Sequence, residues 1–284
     1  MESGVREPAI DIEKLEVLPE KKRAGVIESR KHLILIVLIF IGAMGLWEAL
    51  VVLCQYPQYI LPRPSKIAIS LWIGLVTKRL LWYEIGYTMA EVLLGFFIGA
   101  GVGLILGMWI ALFKVAERIF YPYIIALNTL PKVAIAPLFV IWLGIGWPSR
   151  VAIAATLGVF PMLVNTFTGI RNTEPELILF LRSLSATKRQ IFTKVQLPNA
   201  LPFIFAGLDL AIVLSVIGAI VGELVSGTHG LGSVIMQKNF SLDTAGVFAI
   251  LVVLGVMGSG LHAIMTRIRK KVIFWAKEEM VVGA

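Results

Sequence analysis

Residues 92–113 read VLLGFFIGAGVGLILGMWIALF, without a single charged side chain. A helix that crosses a lipid bilayer needs roughly 20 mostly apolar residues, and this stretch has that length. Four of its five glycines, Gly95, Gly99, Gly103 and Gly107, recur every four residues and therefore share one helix face. A glycine face lets a neighbouring helix approach closely in lipid, so we predict a membrane span that packs through this face. The partner is either another helix of the chain or a second copy.

Further apolar stretches of similar length lie on both sides of this one. They cover residues 33–54, 119–147, 151–170, 201–222 and 244–266. The composition agrees, since 58% of the 284 residues are hydrophobic and 15% are charged, with a mean hydropathy of +0.87. A soluble domain carries roughly a quarter charged residues. The sequence therefore predicts an all-α membrane protein with about six transmembrane helices.

The basic residues predict the orientation of these helices. Most of the 26 Lys and Arg residues lie before residue 33, between residues 171 and 200, and after residue 266. Cytoplasmic segments of membrane proteins are enriched in Lys and Arg, so we predict that both termini are cytoplasmic. The net charge of +8 thus has a topological cause, and we expect no nucleic-acid partner.

These spans divide the chain into five segments. We predict a cytoplasmic tail over 1–32, a first transmembrane helix over 33–54, and an extracytoplasmic segment over 55–87. The last of these contains an amphipathic stretch, Ile67 to Trp82, which predicts a helix at the membrane interface. A core of five spans follows over 88–266, and a second cytoplasmic tail covers 267–284.

Several polar side chains fall within the predicted spans. Ionisable residues in a membrane are costly and are functional candidates by default. We predict a translocation path that includes Asn128, Lys132, Asp209 and Glu223. Two alternatives stay open: the prolines near Lys132 could simply kink the helix, and Glu91 and Glu223 could be hydrated at the outer ends of their spans.

The sequence lacks the motifs of several enzyme classes. It contains no GxxxxGK[ST] loop, no HExxH, no CxxC and no GxSxG. Its three histidines, His32, His229 and His262, are widely separated, so their spacing does not indicate a metal site. We therefore expect no catalytic residue, no metal and no cofactor in this chain.

The predicted cytoplasmic loop at residues 171–200 carries the most specific pattern. It reads LFLRSLSAT at 179–187 and VQLP at 195–198. This spacing resembles the coupling-loop signature of ABC importer permeases, which is EAA, three residues, Gly, nine residues and then I-x-L-P. Ser185 falls at the glycine, while Leu197 and Pro198 match. The EAA triplet itself is absent.

The resemblance extends over residues 47–266 and is strongest to the nitrate, taurine and aliphatic-sulfonate importer permeases. Shared fragments include Gly95-Phe96, Trp142-x-Gly144-x-Gly146 and Gly230-Leu231-Gly232. Two positions that are commonly arginine in these relatives are acids here, Glu91 and Asp209. This difference weakens the expectation of an anionic substrate.

The resemblance implies a type I ABC importer permease fold in the bacterial inner membrane. It implies a second permease copy, two cytoplasmic ATPase subunits that bind ATP and Mg²⁺, and an extracytoplasmic binding protein that delivers a small polar solute. The residues that it assigns to ATPase coupling are Arg182, Ser183, Leu184, Ser185, Ala186, Thr187, Leu197 and Pro198.

Two other function classes are alternatives to this one. A proton-coupled secondary transporter would use Asp209 and Glu223 as a relay and would need no ATPase partner. A membrane-embedded enzyme would need convergent polar catalytic groups, and the sequence does not offer them.

Overall fold

A computed structural model describes residues 18–77 and 79–275, and all regular structure in that part of the chain is helical. The helices, in chain order, are α1 (Leu18–Leu53), α2 (Pro64–Trp72), α3 (Leu80–Leu112), α4 (Lys114–Thr129), α5 (Ala136–Leu143), α6 (Trp147–Arg171), α7 (Pro175–Ser183), α8 (Lys188–Ile191), α9 (Leu197–Ser226), α10 (Leu231–Phe240) and α11 (Thr244–Val272). The chain divides into two compact units, residues 1–65 and 66–284.

The first unit consists mainly of α1. Its apolar part, Ile34–Leu53, is long enough to cross a membrane. The helix begins at Leu18, so residues 18–32 of the predicted tail are helical, whereas residues 1–17 lie outside the described part. Near its end, Glu48 accepts hydrogen bonds from the backbone N–H of Ser65 (3.1 Å) and from its hydroxyl (2.9 Å).

The second unit is built on three long helices, α3, α6 and α9, which pack against one another, with α10 and α11 on α9. The glycine face of α3 lies against α6. A Cβ atom at Gly99 would lie 2.5 Å from the carbonyl oxygen of Ala155, and one at Gly103 would lie 2.5 Å from that of Val159. The sequence leaves open whether this face packs against a helix of the same chain or of a second copy. In the structure, the helix that packs closely against it is α6 of the same chain.

The third predicted span, residues 119–147, is not one continuous helix. The described residues contain five helices that are long and apolar enough to cross a membrane, or six if α4 and α5 count as one span. The axes of α4 and α5 differ by 86°. Leu130, just before Pro131, adopts an extended conformation, as steric conflict with a following proline favours. The prolines thus break this span rather than bend it.

Two predicted boundaries differ from the observed ones. The helix at the predicted interface ends early: α2 continues as a π-helical turn to Thr77, and Trp82 belongs to α3. At the other end of the chain, α11 extends to Val272, past the predicted limit at residue 266. Hydropathy marks only the part of a helix that lies in lipid, so it misses polar turns that continue the helix.

The start of α11 is fixed by a capping interaction. Asp243 accepts a hydrogen bond from the backbone N–H of Gly246 (2.9 Å), which satisfies one of the free donors of the first turn. Partial burial alone would raise the pKa of Asp243. Hydrogen bonds from Lys238 Nζ (2.8 Å) and from Gly246 outweigh this effect, so the pKa lies below its ordinary value.

Candidate functional site

The segment between α6 and α9, residues 172–196, is here called the coupling segment. It holds α7 and α8, joined by a tight turn. The backbone N–H of Ser185 donates to the carbonyl of Arg182 (2.9 Å), and that of Ala186 donates to the carbonyl of Leu181 (3.0 Å). These two bonds form a Schellman motif, which ends a helix by satisfying its last carbonyl groups.

Ser185 occupies the left-handed position of this motif, with φ of 60°. Left-handed backbone is unfavourable for residues with a Cβ atom, and glycine is therefore preferred there. This preference gives a physical reason for the glycine in the signature that the loop resembles. A serine in its place keeps the turn at the expense of local strain.

The beginning of α8, like the end of α7, is fixed by specific hydrogen bonds. Thr187 is its N-cap, and its hydroxyl accepts from the backbone N–H of Gln190 (3.3 Å). The side-chain oxygen of Gln190 accepts in return from the backbone N–H of Thr187 (2.8 Å). This capping box and the preceding Schellman motif hold α7 and α8 in a defined relative geometry.

The coupling segment exposes large apolar side chains. Leu179 and Phe180 are each 61% exposed, and Leu184 is 64% exposed. A cluster of exposed apolar residues on a segment outside the lipid is typical of a protein-binding surface. Leu197 and Pro198 have a different position, because they form the first turn of α9 and Leu197 packs against the hydrophobic core.

We expect Ser185→Gly to relieve strain in the turn and to keep the coupling segment functional. A glycine in a left-handed position avoids a cost of about 1 kcal/mol. Ser185→Val should have the opposite effect, because a β-branched side chain tolerates positive φ poorly. The measurement is the thermal stability of both purified variants. A lower Tm for Ser185→Gly than for the original chain would contradict this expectation.

A second group of functional interest lies near the start of α6 and the end of α9, beside the fourth turn of α3, and we call it the outer charge cluster. Its centre is an ion pair between Arg150 Nη1 and Glu91 Oε1 at 3.0 Å, and both side chains are completely buried. Glu223, also completely buried, is the second carboxylate of the cluster. Glu91 Oε2 has no hydrogen-bond partner among the described residues.

Arg150 also binds the connection between α9 and α10. Its Nε donates to the hydroxyl of Ser226 (2.5 Å), and its Nη1 donates to the carbonyl of His229 (3.0 Å). A further hydrogen bond joins Nη2 to the hydroxyl of Thr228. One guanidinium therefore links three helices and the following loop.

Glu223 organises the other side of the same loop. It accepts from the hydroxyl of Thr88 (2.6 Å) and from the backbone N–H of Gly232 (2.6 Å). Gly230 has φ of 97°, and a Cβ atom there would lie 2.0 Å from Glu223 Oε1. Both the backbone conformation and the lack of space therefore require glycine at this position.

The burial of these charges differs from one expectation drawn from the sequence. The sequence left open the alternative that Glu91 and Glu223 are hydrated at the outer ends of their spans. This alternative is wrong, because both side chains are fully buried. The sequence held one indication of this cluster. Glu91, Arg150 and Glu223 lie at the same predicted end of their spans, where the arginine can pair with an acid.

Asp209 lies in the middle of α9 and has its own partner. Its Oδ2 is 2.9 Å from Arg269 Nη1 on α11, and its Oδ1 is 3.9 Å from His262 Nδ1. The side chain of Asp209 is 11% exposed. The structure therefore places it at a helix contact within the chain.

Asn128 and Lys132 are close together at the break between α4 and α5. Lys132 Nζ donates to the backbone carbonyl (2.9 Å) and to the side-chain oxygen (3.0 Å) of Asn128. The same ammonium group lies 4.7 Å from the ring centre of Phe160. Of the four residues predicted for the translocation path, these two contact each other, whereas Asp209 and Glu223 have other partners.

Known proteins resemble this chain over most of its length. Residues 99–274 match the family of binding-protein-dependent transport system inner membrane components. The formylaminopyrimidine transport permease ThiX of Halalkalibacterium halodurans is 32% identical over 85% of this chain and 96% of its own. The riboflavin transport system permease RibX of Chloroflexus aurantiacus is 33% identical, with 81% and 85% covered. The putative aliphatic sulfonates transport permease SsuC of Bacillus subtilis is 30% identical, with 94% of each chain covered.

The fold also has a counterpart among solved structures. A chain of the inward-facing MetNI methionine ABC transporter superposes with a TM-score of 0.60 at 20% identity, covering 69% of this chain and 98% of the other. The predicted type I importer fold is thereby confirmed, as are the predictions of a multi-pass inner-membrane protein and of a chain that is not itself an enzyme. The chain belongs to the family of binding-protein-dependent transport system inner membrane components and is the permease subunit of an ABC importer.

Proposed function

We propose that two identical copies of this chain form the membrane pathway of an importer for a small polar solute. Two cytoplasmic ATPase subunits, which bind ATP and Mg²⁺, dock on the coupling segments, and an extracytoplasmic binding protein delivers the solute. The observation that carries the proposal is the exposed apolar surface of Leu179, Phe180 and Leu184 on a rigidly capped helical turn. Such an element can transmit an ATP-driven movement to α6 and α9.

The broken span supports the pairing of two copies. Asn128 is exposed and Lys132 is half-buried at the junction of α4 and α5. Polar groups at membrane depth are tolerated where they face protein or line a water-filled cavity. A second copy opposite this junction would enclose such a cavity, and we propose Asn128 and Lys132 as residues of its wall.

The names of the relatives are consistent with a small polar solute as cargo. They refer to a formylaminopyrimidine, to riboflavin and to aliphatic sulfonates. Glu91 and Asp209 do not argue against an anion, because Arg150 and Arg269 pair with them inside the bundle. Each of these two acids therefore has a basic partner within the chain.

We expect Phe180→Glu to release the ATPase subunits, because the substitution would place a charge within an apolar contact that excludes water. The matched control is Phe240→Glu on α10, where an 81% exposed phenylalanine lies at the opposite predicted end of the bundle. Both variants are purified from the native host in mild detergent. The measurements are the amount of ATPase subunit that is recovered, by mass spectrometry, and the ATPase activity.

Loss of more than about 90% of the ATPase subunit in Phe180→Glu, with normal recovery in Phe240→Glu, would support the proposal. A loss of this size is expected because truncation of a side chain that dominates an interface weakens binding by about 2 kcal/mol or more. Equal recovery in both variants would contradict it.

A further inference from the structure

A basic pocket lies between the first turns of α4 and the last residue of α6, at the predicted cytoplasmic end of the bundle. It has a volume of about 390 Å³ and is lined by Lys114, Glu117, Arg118, Tyr121, Pro122 and Arg171. Ligand pockets in proteins usually have volumes of roughly 300 to 1,000 Å³, so this one can hold a small polar group. The coupling function described above does not account for it.

The charges of this pocket are unbalanced. Glu117 forms an ion pair with Arg171, and both side chains are about one-third exposed. Lys114 and Arg118 have no acidic partner within the described residues. The pocket therefore carries two uncompensated positive charges, and its chemistry suits an anion such as a phosphate group.

The position of the pocket identifies the source of that anion. The apolar run of α3 ends at Leu112, and α4 begins at Lys114, so the pocket lies at the depth where lipid headgroups are expected. Trp109 and Phe113 at the same junction are 43% and 57% exposed. Aromatic residues are enriched at this level of a membrane, and basic pockets between helices on the cytoplasmic side bind anionic headgroups.

We propose that the pocket formed by Lys114, Arg118 and Arg171 binds the phosphate group of an anionic phospholipid from the cytoplasmic leaflet. The acyl chains of this lipid lie along the exposed aromatic side chains, while the headgroup contacts the cations. Arg171 is the last residue of α6, and α7 begins at Pro175. A bound headgroup therefore holds the base of the coupling segment at the membrane surface.

The test uses the full chain, purified in mild detergent and titrated with phosphatidylglycerol, while native mass spectrometry records the bound lipid. The Lys114→Gln/Arg118→Gln variant should bind phosphatidylglycerol roughly 20-fold more weakly, given the usual contribution of each basic residue near an anionic headgroup. The control is Arg267→Gln, which removes an exposed cation from the same predicted side without touching the pocket. Its affinity should change less than twofold.

Phosphatidylcholine and soluble glycerol phosphate serve as competing ligands. Weak binding of both supports a site for an anionic membrane lipid, whereas tight binding of glycerol phosphate would show a site for a free phosphate compound and overturn the proposal. Equal phosphatidylglycerol binding by the double variant and the original chain would also overturn it. If the Lys114→Gln/Arg118→Gln variant binds phosphatidylglycerol normally but loses the ATPase subunits, the pocket is a protein contact and the proposal is overturned.

Discussion

Replacement of Arg150 by methionine is expected to lower the Tm of the purified permease by about 10 °C, since removal of one partner from a buried ion pair typically costs about 3 to 5 kcal/mol. Methionine fills much of the same space but carries no charge. The substitution would leave Glu91 and Glu223 buried without a counter-ion and would remove four hydrogen bonds to α3 and to the α9–α10 region. Thermal unfolding followed by tryptophan fluorescence measures the effect.

Two further variants test whether the loss of the buried ion pair causes the fall in Tm. Arg171→Met removes an arginine whose ion pair is one-third exposed, so its Tm should fall only slightly, because exposed pairs contribute about 0 to 1 kcal/mol. The double variant Arg150→Met/Glu91→Met should recover part of the lost stability, because it removes both charges of the pair. A fall in Tm for Arg150→Met no larger than for Arg171→Met would show that the buried pair does not stabilise the bundle.

Glu91 and Asp209, the two acids that weaken the expectation of an anionic substrate when the sequence is considered alone, each have an arginine partner in the structure. Glu91 pairs with an arginine from α6, and Asp209 pairs with an arginine from α11. In each case a positive charge is present at the same place, but it comes from another helix. The identity of one residue therefore does not define the charge that a cargo meets, because local charge depends on all helices that meet there.

Much of the fold could be predicted from the sequence, because lipid imposes a simple condition on spanning segments. Each must be apolar over about 20 residues and must satisfy its backbone hydrogen bonds internally, so apolar runs such as residues 92–113 read directly as helices. The 86° break between α4 and α5 was not predictable. Proline indicates that the hydrogen-bond ladder is interrupted, but the angle depends on how the two pieces pack.

The coupling segment and the outer charge cluster differ in predictability for a physical reason. The turn at Ser185 is local, so residue spacing along the chain marks it. The ion pair between Arg150 and Glu91 joins residues 59 positions apart, and the bond from Arg150 to Ser226 joins residues 76 apart. Such contacts depend on which helices are neighbours, and one sequence does not reveal this.

The second large effect is expected at the contact between α3 and α6, where Gly99→Leu should prevent normal packing. A Cβ atom at residue 99 would lie 2.5 Å from the carbonyl oxygen of Ala155 and 3.1 Å from its Cα. These are backbone atoms, so the conflict can be relieved only by separating the helices. Overpacking of a well-packed contact usually costs about 1 to 3 kcal/mol, and a conflict with backbone belongs at the upper end of that range or above it.

The control lies two residues further along the same helix. A Cβ atom at Gly101 would meet no atom within 4 Å, so Gly101→Leu should leave the Tm unchanged or raise it, because leucine is a better helix former than glycine. The measurements are the yield of monodisperse protein and the Tm of both variants, with Gly99→Ala as an intermediate case. Equal Tm values for Gly99→Leu and Gly101→Leu would show that the glycine face is not where the two helices approach most closely. A graded loss from glycine through alanine to leucine at residue 99 alone would establish that contact as the one on which the bundle depends.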